Sequence, residues 1–285
     1  MGFLLTILSY FFLVSIAAVA LHMATTLAGK YLFMFPVAYS VSMYTVALTQ
    51  AAGWNAWAAF AFGLLGALLL GVLCALVERR LPRDSFAVFG IATLFASIAL
   101  MSSWTSVTNG VLGISGVHRP EGFESLTAIT VMSAAFAVAA WIFEWIVLKT
   151  KLSRHWRGMK ESTHLLLSMG VNAGRLSFGT IVLACGLLGI SSIVFVWFQQ
   201  FVTPNTAGSL ADFVRVITIA ILATQPKVSQ VILATAFVMG LPELLRFLDL
   251  PAAVMGPLRS IFYSVFLILV LLFLQKRTLV SNRSV

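Results

Sequence analysis

"LSFGTIVLACGLLGISSIVFVWF", residues 176–198, carries no Asp, Glu, Lys, Arg or His, and its apolar residues run on without alternation. A helix of about 20 such residues, rising 1.5 Å each, crosses roughly 30 Å of hydrocarbon. Lipid offers the backbone no hydrogen-bond partner, so only helices and closed barrels cross it. A continuous run, unlike an alternating one, reads as helix.

Comparable runs recur on both sides, at 3–21, 31–50, 56–77, 86–104, 127–148, 210–224, 228–247 and 258–275. The composition agrees. Of 285 residues 60% are hydrophobic and 9% charged, and the mean hydropathy is +1.02. That leaves too little polar surface to cover a water-exposed globule. The fold class is therefore all-α, a polytopic helical membrane protein of about eight or nine spans. Some are expected to be broken or re-entrant, because the run at 31–50 contains Pro36 among hydroxyl residues. No Pro-, Gly- or Ser-rich linker divides the chain, so residues 1–285 read as one transmembrane domain. The opening "MGFLLTILSYFFLVSIAAVAL" lacks a basic n-region and reads as a first span, not a removed signal.

The net charge of +9 does not point to nucleic acid. The basic residues sit in short connections between spans, as the positive-inside bias produces. Arg79, Arg80 and Arg83 follow the third run. Lys149, Lys151, Arg154, Arg157, Lys160 and Arg175 follow the fifth, and Lys276, Arg277 and Arg283 close the chain. These regions, and with them the C-terminus, are expected in the cytoplasm of a cell whose plasma (inner) membrane holds the protein. Counting back from them puts the N-terminus outside unless the run at 31–50 does not fully cross. Both readings are open. Cys74 and Cys185 lie inside apolar runs and read as small buried hydrophobes.

The connection at 149–175 stands out. Ser153 is placed to cap a short amphipathic helix over 153–169. Trp156, Met159, Leu166 and Met169 make one apolar stripe, and Arg157, Lys160 and Glu161 face away from it. Gly170 and Asn172 are stop signals. Two uses fit such a helix: anchoring on anionic lipid and docking into a groove on a partner.

"SRHWRGMKESTHLLLSMGVN" (153–172) resembles, in register, a pattern of the form G-R-x-L-x-A-I-R-x-[DE]-E-x-A-A-x-x-L-G-I-N. That pattern belongs to the permease subunits of branched-chain amino-acid ABC importers. "MYTVAL" (43–48), the stretch 80–120 with its "TNGVLGISG" loop, "LPELLRFL" (241–248) and the closing "LLFLQKRTLV" are similar to further family motifs in the same order. The resemblance implies a transport subunit that does not itself hydrolyse ATP and needs no cofactor. It implies ABC ATPase subunits, a second permease subunit (the same chain or another) and a periplasmic or lipid-anchored solute-binding protein as partners. It assigns ATPase coupling to Arg154, Trp156, Arg157, Met159, Lys160, Glu161 and Gly170. The implied substrate is a branched-chain amino acid or a related small polar solute such as an amide or urea.

The chain also departs from the family. A glycine-rich stretch before P-E-L-L-R is replaced by "ATQPKVSQVILATA" (223–236), without a single Gly, and the coupling acids are reduced to Glu161. These losses keep a second reading open: a non-conducting scaffold subunit paired with a functional permease.

Thr108, Asn109, Gly110, Gly113, Ser115 and Gly116 are the candidate substrate-pathway residues. A glycine-rich break beside a helix end can turn backbone N–H groups toward a carboxylate, and an outward surface turn fits the same residues. Glu144 is an acid within a span, hence a functional candidate, but its position near Lys149 favours local pairing or the membrane interface. Asp212 with Arg215, and Glu243 with Arg246, have i, i+3 spacing and read as helix pairs. Lys30 and Lys227 read as interface markers. His22, His118, His155 and His164 are scattered without metal-ligand spacing. No phosphate loop and no Ser/His/Asp arrangement is present.

Overall fold

In a computed structural model that describes residues 2–244 together with Ile261 and Val265, the chain is a helical bundle. Its helices are α1 (Gly2–Leu21), α2 (Phe35–Ala51), α3 (Ala56–Glu78), α4 (Arg83–Ser103), α5 (Thr105–Thr108), α6 (Leu126–Lys149), α7 (Lys151–Glu161), α8 (Thr163–Ser168), α9 (Ala173–Gln199), α10 (Pro204–Ala207), α11 (Leu210–Leu222) and α12 (Val228–Leu244). A π-helical turn, His22–Leu27, continues α1. The two short strands β1 (Ile114–Ser115) and β2 (Phe201–Val202) pair antiparallel.

Six of these segments are long and apolar enough to cross a membrane: 2–27, 56–78, 84–103, 126–149, 173–199 and 204–222. The expected run at 31–50 becomes helical only at Phe35, because Pro36 suits the first helical turn and not a helix interior. The seventh run is longer than its sequence suggested. It begins at Pro204, breaks at Gly208–Ser209 and restarts as α11 under a Ser209 side-chain cap. The Glu243–Arg246 pair and, apart from Ile261 and Val265, the candidate span at 258–275 lie outside the described residues or side chains.

The bundle has a basic end and a far end. Among the described residues, every Lys and Arg except Arg119 and Arg215 belongs to the basic end. There Lys30 pairs with Glu78, and Ser177 Oγ donates to Glu78 Oε2 at 2.8 Å. Lys30 is thus half-buried in a network rather than a plain interface marker, whereas Lys227 is exposed. At the far end the Gln50 side chain both donates to and accepts from the backbone of His118. Helix α2 therefore runs from near the basic end to the far end, and α1 begins at the far end.

Small residues set the packing. Gly63, Ala67 and Gly71 are buried at four-residue spacing on α3 and face α9. A β-carbon on Gly71 would stand 2.9 Å from Cys185 Cβ, and one on Gly189 would stand 2.6 Å from Ala67 Cβ. Such stripes let helix backbones approach where lipid supplies no hydrophobic drive. Cys74 and Cys185 are buried and free, as expected. The outward faces carry large apolar side chains, including Leu65, Leu69 and Leu73 on α3 and Val88 and Phe95 on α4. That is the surface of a lipid-embedded bundle.

Candidate functional site

The segment after α6 begins with Thr150 in extended conformation and then turns into α7. The single helix expected over 153–169 is two helices, because Ser162 is extended and separates α7 from α8. Thr150 takes the N-cap position, and Ser153, the expected cap, is fully buried inside α7.

The amphipathic period holds, but its apolar face is already covered. Trp156 (1% exposed), Met159 and Leu166 belong to the main core cluster. Trp156 and Met159 therefore seat the helix on the bundle and do not present knobs to a partner. Met169 departs from the stripe. It falls in the turn after α8 and is 75% exposed. Gly170 adopts φ 76°, and the Val171 N–H returns to Leu166 O at 3.2 Å, which closes α8. Asn172 then caps α9 through the Arg175 N–H, at 3.0 Å.

The outward face of α7 carries exposed Arg154, Arg157, Lys160 and Glu161. Lys160 Nζ reaches back to Thr26 O at 2.8 Å. Arg157, Lys160 and Glu161 line a cavity of about 290 Å³ with Thr26, Thr224 and Pro226, at the meeting of α7, the π turn and the α11–α12 connection.

At the far end the pathway candidates form a cap bonded to itself. Thr108 Oγ1 donates to Met101 O at 2.6 Å or Trp104 O at 2.7 Å, and Asn109 Nδ2 donates to Gly113 O at 3.1 Å. Asn109 is left-handed, with φ 60°. Gly113 has φ 73°, and a β-carbon there would stand 2.0 Å from Val202 O, so only glycine fits against β2. Ser115 pairs with Phe201 and is exposed, as is Gly116. The six residues are thus brought together where the end of α9 meets the start of the broken span.

Next to them a far-end cavity of about 450 Å³ is lined by Gln50, Trp54, Trp57, Arg119, Glu121 and Glu124 among others. Arg119 donates to Trp197 O, Phe198 O and Glu124 O. Burial holds its guanidinium below the usual range without discharging it.

Two polar clusters inside the bundle were not assembled from the sequence. Glu144 does not pair with Lys149, whose ammonium lies 3.3 Å from the centre of the Trp145 ring. It turns inward and meets His22, with 2.5 Å between His22 Nδ1 and Glu144 Oε1, and both side chains are fully buried. His22 Nε2 lies 3.2 Å from Gln225 O. In the second cluster the expected Asp212–Arg215 pair is present, but Tyr10 joins both: its hydroxyl donates to Asp212 Oδ1 at 2.6 Å and accepts from Arg215. This trio lies where α11 restarts inside the bundle. The partners are 122 and more than 200 residues apart, so no local spacing announces them. The one local signal is an ionisable residue within a span. Among the described residues no group of His, Cys, Asp and Glu is arranged to hold a metal.

A scan against family models matches residues 3–274 to the branched-chain amino acid transport system permease component. The chain belongs to that family. It is a multi-pass, membrane-embedded permease component of a branched-chain amino-acid-type transport system, and the family is one of transport subunits, not enzymes. Searches of curated proteins and of solved structures gave no significant match.

Proposed function

We propose that this permease is the membrane-spanning subunit of an ABC importer, and that the α7 face is where ABC ATPase subunits dock. The observation that carries this reading is the construction of α7. One face is sealed into the bundle by Trp156 and Met159, and the other leaves Arg154 and Arg157 exposed on a helix joined to α6 by a single extended residue. A load applied to the charged face then moves the spans instead of bending a loop. A helix that only anchored on lipid would turn its apolar face outward.

The pore is completed by a second permease subunit, and a solute-binding protein sits on the far face over the Thr108–Gly116 cap. The solute is a branched-chain amino acid or a related small polar molecule. The protein lies in the inner membrane with α7 and the C-terminus in the cytoplasm.

The test is co-purification of the ATPase with a variant carrying Arg154→Glu and Arg157→Glu. Lys160 is left intact because it also holds Thr26. Exposed ion pairs are worth about 0.2–1 kcal/mol each, and reversal adds repulsion, so a roughly tenfold loss of ATPase affinity is expected. Unchanged association would refute docking at α7. The scaffold reading is favoured by the glycine-free stretch 223–236. It predicts an assembled complex whose solute uptake survives when this chain's far-end cap is disrupted.

A further inference from the structure

We infer that the π turn His22–Leu27 is the joint that passes movement of α7 to the α11 half-helix, with His22 and Thr26 as its positioning residues; this rests on the docking reading above.

The turn packs against both α7 and α11. Two of its residues, one turn apart, each bind in both directions. Thr26 O accepts from Lys160 Nζ of α7 at 2.8 Å, and Thr26 Oγ1 donates to Ala220 O of α11 at 2.9 Å. His22 meets Glu144 on α6, the helix that leads into α7, and its other ring nitrogen meets Gln225 O just beyond α11. These two residues therefore tie the α6–α7 corner directly to α11 and its C-terminal connection.

The chemistry of His22 makes its link rigid. A carbonyl only accepts, so Nε2 carries a hydrogen toward Gln225 O. A second proton then lies between Nδ1 and Glu144 Oε1, on one atom or the other. Either way the pair is neutral overall, which makes its burial tolerable, and losing one partner strands the other. Among the described residues Glu144 Oε2 has no hydrogen-bond partner. A fold that needed only packing here would be served better by two apolar side chains.

The backbone supplies the freedom to move. Within the π turn the Ala28 N–H reaches back five residues to Met23 O at 3.1 Å, the wide register of a π-helix. Passing one residue out of that register into α-helix advances the chain by about 1.5 Å and turns it by roughly 100°. The Tyr10–Asp212–Arg215 cluster sits at the opposite end of α11 and would register that displacement.

The experiment uses the ATPase-bound complex purified from its own membranes and reconstituted in vesicles. Single cysteines replace Lys151 on α7 or Leu210 at the start of α11, both exposed, while the native cysteines are buried. Maleimide labelling rates are measured with and without ATP and vanadate. In the parent, trapping is expected to change both rates several-fold. Two variants cut the joint while preserving the fold: Thr26→Val, which removes one hydroxyl, and the apolar pair His22→Met with Glu144→Leu. In each, the Lys151→Cys response should persist and the Leu210→Cys response should fall at least twofold, and combining the two variants should reduce it to near nothing. If both responses persist in both variants, the joint lies elsewhere. If no ATPase accompanies the unaltered chain, the docking reading fails and takes this inference with it.

Discussion

Gly113 shows how one missing side chain fixes the far-end cap. Its φ of 73° costs any other residue about 1 kcal/mol or more. A β-carbon would also run into Val202 O. Gly116 has φ 83° but open space around it. The two positions therefore separate backbone strain from collision. Gly116→Ala is expected to cost only the strain, about 1 kcal/mol. Gly113→Ala should cost more and part β1 from β2, seen as a lower Tm in detergent and faster proteolysis near Ser115. Equal effects at the two sites would show that β1 and β2 are not held by this contact. Arg119 makes a second residue-scale case. Its guanidinium satisfies two carbonyls at the end of α9 as well as Glu124 O, a fork that lysine cannot reproduce. Arg119→Lys should cost about 1–2 kcal/mol of thermal stability.

Among elements, the approach of α3 to α9 depends on small residues. Gly189→Leu puts four carbons where Ala67 Cβ already stands. Overpacking of this kind costs about 1–3 kcal/mol, and the expected result is a lower midpoint in thermal unfolding together with poor recovery from the membrane. The existence of these helices was legible because hydropathy over twenty residues reports it directly, whereas hydropathy carries no sign of direction and the first two runs stay open on that point in the sequence. The break at Gly208–Ser209 was not legible, because residues 203–209 (TPNTAGS) are polar and turn-like and read as loop rather than as the start of a span. The α7 stripe was legible as a period, but not as an inward face: Trp156 and Met159 show that a helix has one apolar side, and only the fold shows that the bundle covers it. Glu144 was visible as an acid within a span, but His22 read only as one of four scattered histidines. Their meeting is a property of how α1 lies on α6, which no local pattern encodes.

Over the whole molecule, charge and connectivity make the same statement about orientation. From α1 onward the connections alternate between the far end and the basic end, and the only described basic residue at the far end is Arg119, spent on three carbonyls. Each Lys or Arg near an anionic cytoplasmic leaflet contributes roughly 1 kcal/mol, so the cluster from Lys149 to Arg175 favours the proposed placement of the basic end in the cytoplasm. Cysteines placed at exposed Lys151 and Glu121 test this in intact cells with a membrane-impermeant maleimide. Glu121→Cys should label from outside and Lys151→Cys only after the membrane is opened. Labelling of both from one side would mean that α6, which separates them, does not cross. The inverse pattern would leave the bundle intact but turn α7 away from any cytoplasmic ATPase, and docking at Arg154 and Arg157 would then be impossible on topological grounds alone.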